Sequence, residues 1–200
     1  MKKHDEIESD FFSLIDVEDE YLPLVVKCHY AIDKMLDRAL TETLPQASAI
    51  ELKRISFLLK VDFLTALGGL RPHTRKLFEL ANTVRNKFAH DPYAEFAVGD
   101  AAKAKSLLCS HVPVLVPERF KEEEDFQDIL KTLFSVCFLQ ASVAYGNTCR
   151  QKVSNIVAQQ LVQETISPLK IRTSSIPIHD DFENRCKFMM TEIYPGVEPA

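Results

Sequence analysis

Apolar residues recur along this chain at intervals of three and four rather than two, which predicts helices almost throughout. Residues 5–17 place Ile7, Phe11, Phe12, Leu14 and Ile15 on a short amphipathic segment. A second helix is predicted to start near Pro23, whose fixed φ and missing N–H suit a first turn, and to close at Pro45. Its stripe is Leu22, Val25, Val26, Ile32, Leu36, Ala39 and Leu40. His29 shares that stripe and reads as a satisfied core histidine rather than a catalytic one. A third helix is predicted over 47–67, stopped by Gly68-Gly69 in a left-handed turn. Its second half, 57–64, is apolar almost all round and should sit centrally in a bundle.

The fourth predicted helix opens at Pro72 and ends near His90, because the residue before Pro92 resists the α conformation. Shorter and longer helices follow over 100–109 and 122–166, separated by an extended stretch over 111–117, with a break point available at Tyr145-Gly146-Asn147. Beyond residue 166 the pattern changes. Pro168, Pro177, Pro195 and Pro199 interrupt it, so 167–200 reads as an extended C-terminal arm with at most a helical turn around 181–190. Such an arm lies across a partner subunit or hangs as a loose tail; composition does not separate the two. The expected architecture is all-α, a bundle of about five to six helices over 1–166 followed by that arm.

Composition agrees with this picture. The chain has 46% hydrophobic and 26% charged residues, as globular proteins do, and its five glycines are too few for a sandwich or barrel of many tight turns. The five cysteines are scattered and never at CxxC spacing, so they read as thiols in a reducing compartment rather than as a disulfide frame or zinc site. The N-terminus turns acidic at once with no apolar leader, and the apolar runs at 57–70 and 133–145 are short or interrupted. These features place the expected protein in the cytoplasm, with no membrane association.

The net charge of −5 argues against a broad, non-specific grip on nucleic acid. Its distribution is uneven. Residues 5–20 carry eight carboxylates and no base, whereas Arg71, Arg75, Lys76, Arg85 and Lys87 face the single Glu79 between residues 71 and 90. No phosphate-binding glycine loop, nucleophile elbow or metal-ligand spacing is present, so neither a cofactor nor a metal is expected.

One segment carries chemistry. In LFELANTVRNKFAHDP, residues 77–92, Leu77, Leu80, Ala81, Val84 and Phe88 share one helical stripe. Asn86 and His90 lie one turn apart and roughly opposite that stripe, with Arg85 on its flank, so core packing does not account for them. The run Arg85-Asn86-Lys87-Phe88-Ala89-His90 resembles the RNxxxH form of the Rx4–6H motif of the HEPN superfamily. Together with Lys60-Val61-Asp62 and Ala66-Leu67-Gly68-Gly69-Leu70, it is most similar to the mannitol operon repressor branch, over about residues 20–165.

That resemblance implies a helical bundle that dimerises through the motif helix. It also implies metal-independent RNA cleavage by attack of a ribose 2′-hydroxyl on the adjacent phosphate. Arg85 would clamp the phosphate, His90 would serve as general acid/base, and Asn86 would orient the imidazole or hold the phosphate. Asp62, a carboxylate in an apolar helix, is a candidate support that must find a base such as Arg85. Tyr93 follows His90 by three residues, whereas nucleotidyltransferase-controlled HEPN toxins carry a tyrosine two residues after the histidine. The resemblance thus offers two functions: a homodimeric endoribonuclease acting as a toxin or phage-defence effector, with RNA as substrate and an antitoxin as partner, or a non-catalytic transcriptional regulator acting through protein partners.

Overall fold

The computed structural model describes residues 4–17, 21–91, 93–113, 126–166 and 178–199, and every regular element among them is helical. In chain order these are α1 (His4–Val17), α2 (Tyr21–Thr43), α3 (Phe57–Ala66), α4 (Arg75–His90), α5 (Val98–His111), α6 (Phe126–Ile166) and α7 (Ile178–Ile193). Among the described residues, six α-helices precede residue 167, within the five to six expected. The chain divides into a larger unit, Ser9–Tyr145, and a smaller one, Met1–Glu8 with Gly146–Ala200.

The larger unit is organised around α2. Leu24, Val25, Cys28, Ile32, Met35, Leu36, Ala39 and Leu40 are buried along it; of the predicted stripe, Leu22 is half-buried and Val26 faces out, while Leu24, Cys28 and Met35 join the buried side. α2 packs on α3 and α4, α3 packs on α4, and α4 packs on α5. The first part of α6 buries Leu130, Leu133, Phe134, Cys137, Phe138 and Ala141, and Phe138 stacks on Phe11 of α1 at 3.8 Å between ring centres. Burial pushes the Cys137 thiol well above its ordinary range, so it packs as a small apolar group.

Two breaks shape the site. The helix predicted over 47–67 forms only from Phe57. Before it lie two 3-10 turns, Ala47–Ala49 and Leu52–Arg54, separated by the extended Ile50 and followed by the extended Ile55 and Ser56. Neither turn buries a residue. Without an apolar face to pack, the segment lacks the tertiary contacts that stabilise most helices. The end of α3 matches expectation: Gly68 sits at φ +78°, its N–H reaches the Thr65 carbonyl, and the Gly69 N–H reaches the Leu64 carbonyl. Pro72–Thr74 then forms a 3-10 turn, so α4 begins three residues later than Pro72.

The expected break at Tyr145-Gly146-Asn147 is absent, and α6 runs unbroken to Ile166. By length and composition α6 could cross a membrane, but 67% of its most apolar stretch is buried, as in a core helix.

The smaller unit corrects the reading of 167–200 as an arm with at most one helical turn. α7 is a helix of 16 residues. The prolines bracket it instead of interrupting it, because the interval from Pro177 to Pro195 accommodates four turns. Asp180 and Asp181 sit in its first turn, where the helix dipole favours carboxylates. Arg185 donates to Asp181 from within α7 and grips both carboxylate oxygens of Glu164 on α6 at 2.8 and 3.1 Å. Residues 167–177 lie outside the described residues.

Candidate functional site

α4 sorts its residues as the stripe predicts. Leu77, Phe78, Leu80, Ala81, Val84 and Phe88 are buried, whereas Arg85 and His90 are exposed and Asn86 is half-buried. The helix ends at His90, and Asp91 is extended before Pro92, as the pre-proline restriction requires. The Arg85 guanidinium donates from Nη1 to Asn86 Oδ1 at 3.1 Å.

Arg85 and Asn86 line a cleft of about 500 Å³ in the larger unit. α2 contributes Val26, His29, Tyr30 and Asp33 to it. The non-helical segment before α3 contributes Lys53, Ile55 and Ser56, and α4 also brings Asn82. Asn82 lies one turn before Asn86, so both amides reach the same side of the helix. The failure of residues 47–55 to form a helix thus supplies one wall.

His29 forms part of this cleft. It is 8% exposed, its ring lies 4.2 Å from that of Phe57, and its Nε2 is 3.3 Å from Asn82 Oδ1. Burial first, and the Arg85 guanidinium second, push its pKa from 6.5 down to about 4, against the opposing pull of the Asn82 hydrogen bond. It is therefore neutral near pH 7. The sequence places His29 correctly on the buried side of α2, but nothing local marks its partnership with α4, which is 53 residues away.

A sign follows for stability. The unfolded chain binds a proton at His29 between about pH 6.5 and 4 that the folded chain does not. Stability therefore falls as the pH drops through that window, by about 3 kcal/mol at about 1.4 kcal/mol per pH unit. Urea unfolding of wild type and His29→Gln checks this: wild type should lose about that much more between neutral pH and pH 4. Parallel pH curves would contradict a buried neutral imidazole.

In the floor of the cleft, Lys60 of α3 is 1% exposed. Its ammonium donates to Asp33 Oδ1 at 2.7 Å and lies at the same distance from Asp37 Oδ1. Geometry favours a hydrogen bond only to Asp33; the Asp37 contact is one of charge.

The remaining predicted residues lie elsewhere. His90, on the last turn of α4, is not among the residues lining the cleft, and among the described residues it has neither a hydrogen bond nor an ion pair. Asn86 contacts Arg85 rather than His90. Asp62 is half-exposed, not buried, and pairs with Arg75 rather than Arg85, accepting from Nε at 2.6 Å and Nη2 at 3.4 Å. α3 presents a solvent edge at Leu59, Asp62 and Phe63, which relieves the carboxylate of the burial cost that its apolar neighbours imply. Lys87 ties the end of α4 to the α5 region through Glu95 O and Asp100.

No group of three or more His, Cys, Asp or Glu side chains able to hold a metal occurs among the described residues. What the arrangement offers is the Arg85 guanidinium and Lys53, amide groups, a neutral imidazole and the paired Lys60 and Asp33 around a concave, partly apolar space. Comparison of the chain with protein-family models, curated proteins and solved structures finds no match.

Proposed function

We propose that this chain is a cytoplasmic, metal-independent endoribonuclease of the HEPN kind, working as a homodimer. The observation that carries the reading is that Arg85 and Asn86 stand off the buried stripe of α4 and face a cleft, free of any core-packing role. Arg85 would hold two oxygens of a scissile phosphate through its planar fork. The ribose 2′-oxygen attacks that phosphorus while the bond to the 5′-oxygen breaks, giving a 2′,3′-cyclic phosphate and a 5′-hydroxyl. His90 would take the 2′-hydroxyl proton or deliver one to the departing 5′-oxygen.

The exposure of His90 outside the cleft supports the dimer. Five residues separate it from Arg85, about 7.5 Å along the helix axis. Two α4 helices crossing antiparallel midway between Arg85 and His90, near Lys87, would bring the His90 of one protomer beside the Arg85 of its partner, and one composite site would hold both motifs.

A second reading, a regulator acting through protein partners, draws on Leu59, Phe63 and Leu67 of the α3 region. These are exposed at i, i+4 and i+8 and form an apolar line suited to another protein. Expression in a heterologous bacterium separates the two. Wild type should arrest growth and fragment RNA, whereas His90→Ala should do neither. Normal growth with intact RNA at high wild-type expression would leave the regulator.

A further inference from the structure

Arg85 and His90 can account for chemistry at a phosphate but not for the size or walls of the cleft beside them. The space is about 500 Å³, larger than a phosphate needs, and its walls are aromatic and amide-bearing rather than uniformly basic. Tyr30 on α2 is 63% exposed at the cleft, and Lys34 stands over its ring, 5.3 Å from the centre. An ammonium covers at most one side of a ring, so an aromatic side chain this exposed on a cleft wall is a candidate platform for a flat ligand. Arg85 has donors only, so the Asn86 atom facing it must be the carbonyl oxygen, and the Asn86 amide protons are directed elsewhere. Asn82 Oδ1 faces His29 Nε2, and with the imidazole in its Nε2–H tautomer that oxygen accepts and the Asn82 amide protons are left for a ligand.

We infer that this cleft is a base-binding subsite for one unstacked nucleotide of single-stranded RNA. The base stacks on Tyr30, its edge accepts hydrogen bonds from the Asn82 and Asn86 amides, and its phosphate meets Arg85 and Lys53. The inference rests on the ribonuclease reading and names its substrate class. The chemistry is that of single-strand recognition generally, in which a base splayed out of its stack finds an aromatic face and an amide edge. A duplex keeps its bases stacked and cannot present one to a pocket. His29 has a constructional part here: buried and neutral, it fixes the Asn82 amide without adding a charge to the floor.

The test is equilibrium binding of a fluorescent single-stranded 12-mer RNA carrying 2′-O-methyl groups, which cannot be cleaved, against its fully paired duplex. Wild type should bind the single strand in preference to the duplex. Tyr30→Ala should weaken single-strand binding by about five- to 150-fold, the usual range for loss of one base–aromatic stack. Tyr30→Phe should bind within about twofold of wild type, since the ring face is kept. Tyr30 is largely exposed, so neither change threatens the fold. Asn82→Ala should also weaken binding. Equal binding of strand and duplex, or a Tyr30→Ala protein that binds the strand as wild type does, would overturn the subsite. So would no RNA binding at all, which would leave the cleft to a protein partner. A separate cleavage assay on wild type keeps the two ideas apart. Tyr30-dependent binding without cleavage sinks the nuclease and keeps the subsite; cleavage with Tyr30-independent binding does the reverse.

Discussion

Lys60→Met should lower the free energy of unfolding by about 3 kcal/mol in a urea titration, the lower end of what removing one partner of a buried ion pair costs. The methionine fills the volume of the lysine stem, so packing changes little. What changes is charge: Asp33 and Asp37, one turn apart on α2 and mostly shielded, lose the cation that lies 2.7 Å from both. Their residual exposure, 24% and 15%, lets water relieve part of the penalty, and Lys34 still pairs with Asp37 at 3.1 Å. The triple change Lys60→Met, Asp33→Asn, Asp37→Asn should recover most of the loss, since no uncompensated charge remains. A loss below about 1 kcal/mol in the single variant would mean that the ammonium reaches water. The pair matters for function because it joins α3 to α2 directly under the cleft.

Variants of Arg85 and His90 should show the largest functional effects. Arg85→Ala should slow single-turnover cleavage of a labelled RNA by about 100- to 1,000-fold, as removal of a charge-stabilising donor does elsewhere. Arg85→Lys should not restore the rate, because an ammonium lacks the fork that holds two phosphate oxygens. His90→Ala should slow it by about 100- to 10,000-fold. Because Arg85 and His90 are exposed and off the stripe, these variants should keep wild-type stability within about 0.5 kcal/mol. A His90→Ala protein that unfolds would mark His90 as structural. An Arg85→Lys protein of full activity would remove the bidentate clamp from the mechanism.

The parts of this molecule legible in its sequence are those decided by local rules. The α4 stripe, its stop before Pro92 and the left-handed Gly68 turn each follow from periodicity or backbone sterics, and each appears where expected. The rest was decided by tertiary contact. Around 57–64 the sequence is apolar nearly all round, so it carries no phase, and the charge expected to be buried was Asp62. The fold turns Asp62 to the solvent edge and buries Lys60, because Asp33 and Asp37 are waiting on α2, a relation across 27 residues that no local pattern reveals. Periodicity puts His29 on the buried stripe, but its position beside Asn82 and Arg85 depends on the packing of α2 on α4. α7 is hidden in the sequence because prolines that break a helical pattern can equally mark a helix's borders, as they do here.

Cleavage of RNA in EDTA, followed by analysis of the fragment ends, tests the central claim most directly. Wild-type protein should cut, and every new end should be a 2′,3′-cyclic phosphate or a 5′-hydroxyl. RNA left intact in EDTA but cut on addition of magnesium, or fragments bearing 5′-phosphates, would contradict the account.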